Sequence, residues 1–141
     1  MTETAASFED QLIADMRANA GAVTQGPLKG HPLLIMTSNG AKSGEPRRAI
    51  LTYSRDGDDY IVAGTAGGSK SDPAWLHNVR ADPDVTIEVN LETVAATTET
   101  ITEGPERDRL WERHVATLPW FADYPAQTGR VIPMVRITAS R

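Results

Sequence analysis

From Leu33 onward the chain is cut into short aliphatic and β-branched runs by glycine, asparagine, aspartate and proline, and this punctuation limits its possible folds more than any other feature. Pro32 opens the run Leu33-Leu34-Ile35-Met36-Thr37, apolar enough for a strand buried on both faces, and Asn39-Gly40 ends it. Arg48 to Tyr53 reads as a second strand and Tyr60 to Ala63 as a third, with Arg55-Asp56-Gly57-Asp58-Asp59 as the hairpin turn between them. Val85 to Val89 alternates strictly and Thr93 to Thr102 is rich in β-branched residues, so Asn90-Leu91-Glu92 predicts a second hairpin. Ile132 to Ile137 makes the last strand, and its Pro133 predicts an edge or entry position.

Three segments carry helical spacing instead. Phe8, Leu12, Ile13 and Met16 form one stripe with Ser7 as a possible cap. Asp72-Pro73 predicts a cap and first-turn proline for a short helix over Ala74 to Ala81. Leu110, Trp111, His114, Val115 and Leu118 predict a third helix over Glu106 to Thr117. Hairpin-length connections favour an antiparallel sheet, and such a sheet curls into a barrel, giving a mainly β, α+β fold with flanking helices. Residues 1–25 read as an amphipathic helix and linker, and residues 26–141 as the barrel domain. The helix has an acidic polar face, with Glu9, Asp10 and Asp15, which suits packing on the domain or a second subunit better than peripheral contact with anionic lipid.

Composition removes several classes of function. A chain of 141 residues is long enough for one core without staples, and with no cysteine it has no disulfide, thiolate metal site or cysteine nucleophile. A net charge of -5 argues against general nucleic-acid binding. No apolar run reaches the length of a membrane span or signal peptide, so a cytoplasmic location is expected. His31, His77 and His114 are scattered, with no serine or carboxylate in a triad pattern and no metal-ligand spacing, so structural roles are expected for them and no metal.

The chemistry is expected in two loops. In Gly40-Ala41-Lys42-Ser43-Gly44-Glu45-Pro46-Arg47-Arg48, two glycines and a proline let backbone N–H groups converge, Ser43 adds a hydroxyl, and Lys42, Arg47 and Arg48 supply positive charge. The segment reads either as an anion clamp or as a polar hairpin tip. It is not a Walker loop, because the glycine spacing is too short and a strand follows. The second loop, Ala63-Gly64-Thr65-Ala66-Gly67-Gly68-Ser69-Lys70, has no large side chain before its lysine, so a flat ring can lie against it; a ligand-free flexible loop is the competing reading.

Taken in order, His31-Pro32-Leu33-Leu34, the Gly40 to Arg47 loop, Gly67-Gly68, Pro73 to Asn78, Ala81-Asp82-Pro83, Asp123-Tyr124 and Ile132-Pro133 resemble the deazaflavin-dependent nitroreductase family of F420H2-dependent reductases. The resemblance implies a split β-barrel of the FMN-binding-like kind that binds coenzyme F420, a deazaflavin with a ribityl phosphate and an oligoglutamate tail. On the matching positions it implies that Ala41, Lys42, Ser43, Arg47 and Arg48 face phosphate and tail, with Ala49, Ile50, Leu51 and Thr52 continuing the wall. Ala63, Gly64, Thr65 and Ala66 would line the ring, and Ala74, Trp75, Leu76, His77 and Asn78 another wall, although a lone tryptophan such as Trp75 is more often core.

The implied activity is hydride transfer from the reduced deazaflavin to a small, apolar, electron-poor acceptor, with no protein nucleophile and with Thr65 or water as proton source. Acceptor recognition would fall on Leu118, Trp120, Phe121 and Tyr124. Here the chain departs from the family: only Tyr124 keeps a phenolic hydroxyl, Leu118 and Phe121 are apolar, and Ala66 replaces an expected lysine. Enones, unsaturated esters or lactones, and quinones are therefore favoured over nitro compounds. The alternatives are a non-catalytic deazaflavin carrier, or an FMN- or haem-binding relative on the same barrel; both a monomer and a homodimer fit.

Overall fold

A computed structural model describes residues 8–19, 24, 29–65 and 71–140. Ser7, Ala66, Gly67, Gly68, Ser69 and Lys70, all invoked above, lie outside the described residues, as do the side chains of Phe8 and Glu9. The elements run α1 (Phe8–Ala18), β1 (Leu33–Asn39), β2 (Pro46–Thr52), β3 (Ser54–Asp56), β4 (Asp59–Ala63), α2 (Ala74–Ala81), β5 (Asp84–Val89), β6 (Glu92–Ile101), α3 (Pro105–Thr117), a 3₁₀ turn (Pro119–Asp123), α4 (Tyr124–Thr128) and β7 (Met134–Ala139). No helix among the described residues is long and apolar enough to cross a membrane.

The strands form one antiparallel sheet in the order β2-β1-β5-β6-β7-β4-β3. Its two end strands, β2 and β3, are separated in the chain by Tyr53 alone. The edges of the sheet are thus brought together by covalent continuity, which requires the sheet to curl into the expected barrel. At this corner the Tyr53 N–H donates to the Pro32 carbonyl at 3.2 Å, and its ring meets Tyr60 edge-on at 5.1 Å.

The apolar runs of the sequence are strands covered on both sides. Leu34 and Met36 of β1 join the central core with Tyr60, Val62, Ile87 and Ile137, while Leu33 and Ile35 pack under Leu12, Ile13 and Met16 of α1. The N-terminal stripe therefore packs on the sheet, and Arg17 clasps Glu88 of β5 through two bonds of 3.0 and 2.7 Å. Ile61 and Ala63 of β4 face a further core beneath α3 and the aromatic segment, with Leu110, Leu118, Phe121, Ile132 and Met134.

Several boundaries differ from the sequence reading. The turn expected over Arg55 to Asp59 narrows to Gly57-Asp58, because Ser54 to Asp56 already pair with β4; Gly57 takes a left-handed φ of 62°. Glu92 belongs to β6, leaving Asn90 and Leu91 as a two-residue turn with both φ values positive, the geometry that matches strand twist. Pro133 precedes β7, and its carbonyl accepts the Gly64 N–H. Asp72 does not cap α2: Pro73 occupies that position, and the Asp72 carboxylate instead pairs with Arg80 and Arg130.

His114 of α3 is fully buried. Its Nδ1 lies 2.8 Å from the Ser54 hydroxyl, its Nε2 has no partner among the described residues, and Phe121 meets its ring edge-on at 4.6 Å. Burial lowers its pKa from 6.5 to about 4. Between these values the unfolded chain binds a proton that the folded chain refuses, so stability is complete above pH 6.5 and declines as pH falls toward 4. Urea unfolding across that window is expected to show a loss of about 3 kcal/mol that His114→Phe abolishes. Asp56, held below the usual carboxylate range by hydrogen bonds from Arg109 and Arg136, acts at more acidic pH.

Candidate functional site

The β1–β2 hairpin ends at the pair Asn39 and Pro46, and the loop above it is internally bonded. The Gly40 N–H donates to the Glu45 carbonyl at 2.8 Å, and the Gly44 N–H donates to the Gly40 carbonyl at 2.8 Å. The Ala41 N–H donates to Asn78 Oδ1 of α2 at 2.9 Å, while the Asn39 amide donates to Asp82 just past that helix at 2.9 Å. The convergent backbone donors expected from the sequence are therefore largely engaged in shaping the loop. The loop's remaining polar groups are mostly on side chains.

Ser43 Oγ accepts from the Glu45 N–H at 3.1 Å and from the Arg47 guanidinium at 3.3 Å. Lys42 is exposed and pairs with no carboxylate among the described residues. The carboxylate beside Arg47 among the described residues is that of the exposed Glu45 at 3.6 Å, a weak partner. Arg48 is committed more closely, to Asp10 of α1 at 2.9 Å. A Cβ at Gly40 would sit 2.7 Å from Ser43 Oγ, so the glycine leaves room for the hydroxyl.

Beneath the loop lies a cavity of about 540 Å³ lined by Gly40, Ala41, Lys42, Ser43, Arg47, Arg48 and Ala49 on one side and by Ala74, Trp75, His77 and Asn78 of α2 on the other. A second cavity of about 270 Å³ is lined by Leu33, Ile50, Leu51, Thr52, Ala63, Thr65, Trp75, Trp120, Phe121 and Tyr124. Trp75 borders both. So does the single strand β2, whose basic first half faces one cavity and whose Ile50-Leu51-Thr52 half faces the other.

Most residues expected at the site thus come together, with three exceptions among those described. Leu76 and Leu118 are fully buried in the cores and line neither cavity. Gly64 lines neither as well: it is where β4 passes α2, and a Cβ there would stand 3.1 Å from Leu76 Cδ2. Leu33 joins the site without having been singled out, as an apolar strand residue carries no chemical signal. The 119–128 segment is a 3₁₀ turn followed by α4, in which Trp120 stacks on His31 at 4.5 Å and Phe121 meets Tyr124 at 5.1 Å.

A family model described as F420H(2)-dependent quinone reductase matches residues 11–139. An F420H(2)-dependent quinone reductase of Mycobacterium tuberculosis is 36% identical over 109 residues, covering 76% of this chain and 73% of the relative. Among solved structures, an F420-H2 dependent reductase superposes with a TM-score of 0.68 at 31% identity, over 75% of this chain and 93% of the other. A domain-swapped dimer matches with a TM-score of 0.70 at 27% identity, over 92% of this chain and 93% of the other.

Gly40→Ala is expected to push Ser43 Oγ from its place and free the Arg47 guanidinium. Fluorescence titration with coenzyme F420 should then show roughly tenfold weaker binding, equivalent to one charge-assisted hydrogen bond, at an unaltered melting temperature. An unchanged dissociation constant would show that the Ser43 position is immaterial.

Proposed function

The chain belongs to the F420H(2)-dependent quinone reductase family and is an F420-dependent oxidoreductase, and on that premise we propose that it reduces a small, apolar quinone or enone in the second cavity. The observation that carries this reading is the continuous β2 wall, which leads from a basic loop, whose lysine is unpaired among the described residues, to a chamber of aromatic and aliphatic side chains that also holds the hydroxyls of Thr52, Thr65 and Tyr124.

Lys42, Ser43 and Arg47 would hold the phosphate and the acidic tail, charge against charge, with Ala41 and Arg48 beside them. Ala49 to Thr52, Ala63, Thr65, Ala74, Trp75, His77 and Asn78 would flank the body of the cofactor. When bound in its reduced form, F420 supplies a hydride. Trp120, Phe121 and Tyr124 would pack the acceptor flat and keep water from it, which is the protein's main task in such a transfer. One further proton completes the reduction of a quinone to a hydroquinone or of an enone to a ketone. Thr65 and Tyr124 carry the hydroxyls best suited to deliver it, Thr65 being buried at the cavity wall. A nitro group needs more donors than these, so it is the poorer acceptor. The dimeric relative favours a homodimer over a monomer, and we assign the reaction to the cytoplasm.

Titration with F420, FMN and haem should give tight binding for F420 alone. F420H2 oxidation, followed by absorbance, should proceed with menadione and with cyclohexenone or coumarin-type lactones. A protein that binds F420 yet leaves all of these acceptors untouched would be a carrier. Lys42→Ala combined with Arg47→Ala is expected to weaken F420 binding by at least about tenfold without altering the melting temperature.

A further inference from the structure

Arg130 lines neither cavity, yet its side chain is only 17% exposed and is bonded on every side. One terminal nitrogen donates to Asp72 Oδ1 at 2.8 Å. The other donates to the carbonyl oxygens of Gly64 at 2.8 Å, Thr65 at 3.2 Å and Ser71 at 3.0 Å. These acceptors come from both flanks of residues 66–70, and Asp72 also receives Arg80 of α2 at 3.1 Å. The arginine itself follows Gly129, which ends α4 with a φ of 67°. One planar cation therefore joins three separate walls of the second cavity: the end of β4 carrying Thr65, the approach to α2 carrying Trp75, and the aromatic segment carrying Trp120, Phe121 and Tyr124.

We infer that Arg130 is a positioning residue for the acceptor cavity, fixing Thr65 and Trp75 against the aromatic segment without touching cofactor or substrate. The chemistry of the cluster supports this assignment. Three converging carbonyl dipoles repel one another unless a cation sits among them, and one terminal nitrogen of the guanidinium shares its two N–H groups among the three oxygens while the other serves the carboxylate. The anion loop has its own supports in Asn78, Asp82 and Ser43, so its grip on a phosphate and tail does not run through the clamp, although Trp75 borders both cavities. Small displacements of a reacting pair are costly to rate, which is where such a clamp acts. The catalytic part of the inference rests on the acceptor assignment made above; the clamp itself does not.

The test uses the full chain with Arg130→Gln, Arg130→Lys and Asp72→Asn. In the cofactor-free protein, hydrogen–deuterium exchange over residues 64–76 should quicken in Arg130→Gln while α3 and the β5–β6 hairpin keep wild-type protection, and Arg130→Lys should restore much of it. The F420 dissociation constant should stay within about threefold, whereas kcat with menadione should fall about tenfold to a hundredfold. Exchange that is unchanged, or that rises across the whole chain, overturns the inference, as does local loosening with an unchanged kcat. If Arg130→Gln does not fold, Asp72→Asn must reproduce the local pattern at smaller amplitude, and its failure to do so is equally decisive. A wild-type protein that reduces no acceptor refutes the functional reading, while the exchange data still judge the clamp.

Discussion

The molecule depends on the closure of its sheet at Tyr53. β2 and β3 stand at opposite ends of the strand order, yet a single residue joins them, so neither can leave the other without breaking the register of everything between. The second cavity is a consequence of that closure. Ile50, Leu51 and Thr52 come from the β2 end of the sheet, Ala63 and Thr65 from β4 near the other end, and only a curled sheet brings them to one chamber.

The same residue types serve two purposes, and the surrounding carboxylates decide which. Arg109 and Arg136 are surrounded by Asp56, Asp59 and Glu106, an ionic network that fastens α3 to β3, β4 and β7. Its members satisfy one another and have little charge to offer a ligand. Lys42 and Arg47 differ because the loop holds few acids, its Glu45 being exposed and 3.6 Å from Arg47. Arg48 is intermediate, its charge shared with Asp10, so α1 is electrically tied to the rim of the first cavity as well as packed behind Ile50 of the second.

Legibility in the sequence followed the range of the interactions involved. β1, β5 and β6 were readable because burial on one or both faces imposes a period that composition reveals. β3 was not, since Ser54-Arg55-Asp56 is short and polar and owes its conformation to pairing with β4. The 119–128 helices were hidden by Pro119 and Pro125, which sit at first-turn positions where proline is tolerated but interrupt any apolar period. Matching by position brought most cavity residues together but included Leu76, because adjacent helical residues point about 100° apart and Trp75 and Leu76 cannot share a face. Asp72 had the right type and place for a cap, but distant arginines took its carboxylate. Arg130 was invisible for the same reason: its partners lie far away in the chain.

The aromatic wall shows how the core reaches the chemistry. Trp120 is backed by His31, and Phe121 rests on Trp120, Tyr124 and His114, so the second cavity is bounded by rings that are themselves packed. His114 could carry charge, yet burial keeps its imidazole neutral down to about pH 4. A proton there would put an uncompensated cation directly behind Phe121, in a region whose other residues are Leu110, Leu118, Ile132 and Met134. The Ser54 hydroxyl satisfies one ring nitrogen and leaves the other without a partner among the described residues, which fixes the ring's orientation but gives no support to the charged form. This wall of the second cavity thereby stays uncharged near neutral pH, and among the described residues that line the two cavities the lysine and arginines are Lys42, Arg47 and Arg48 at the rim of the first.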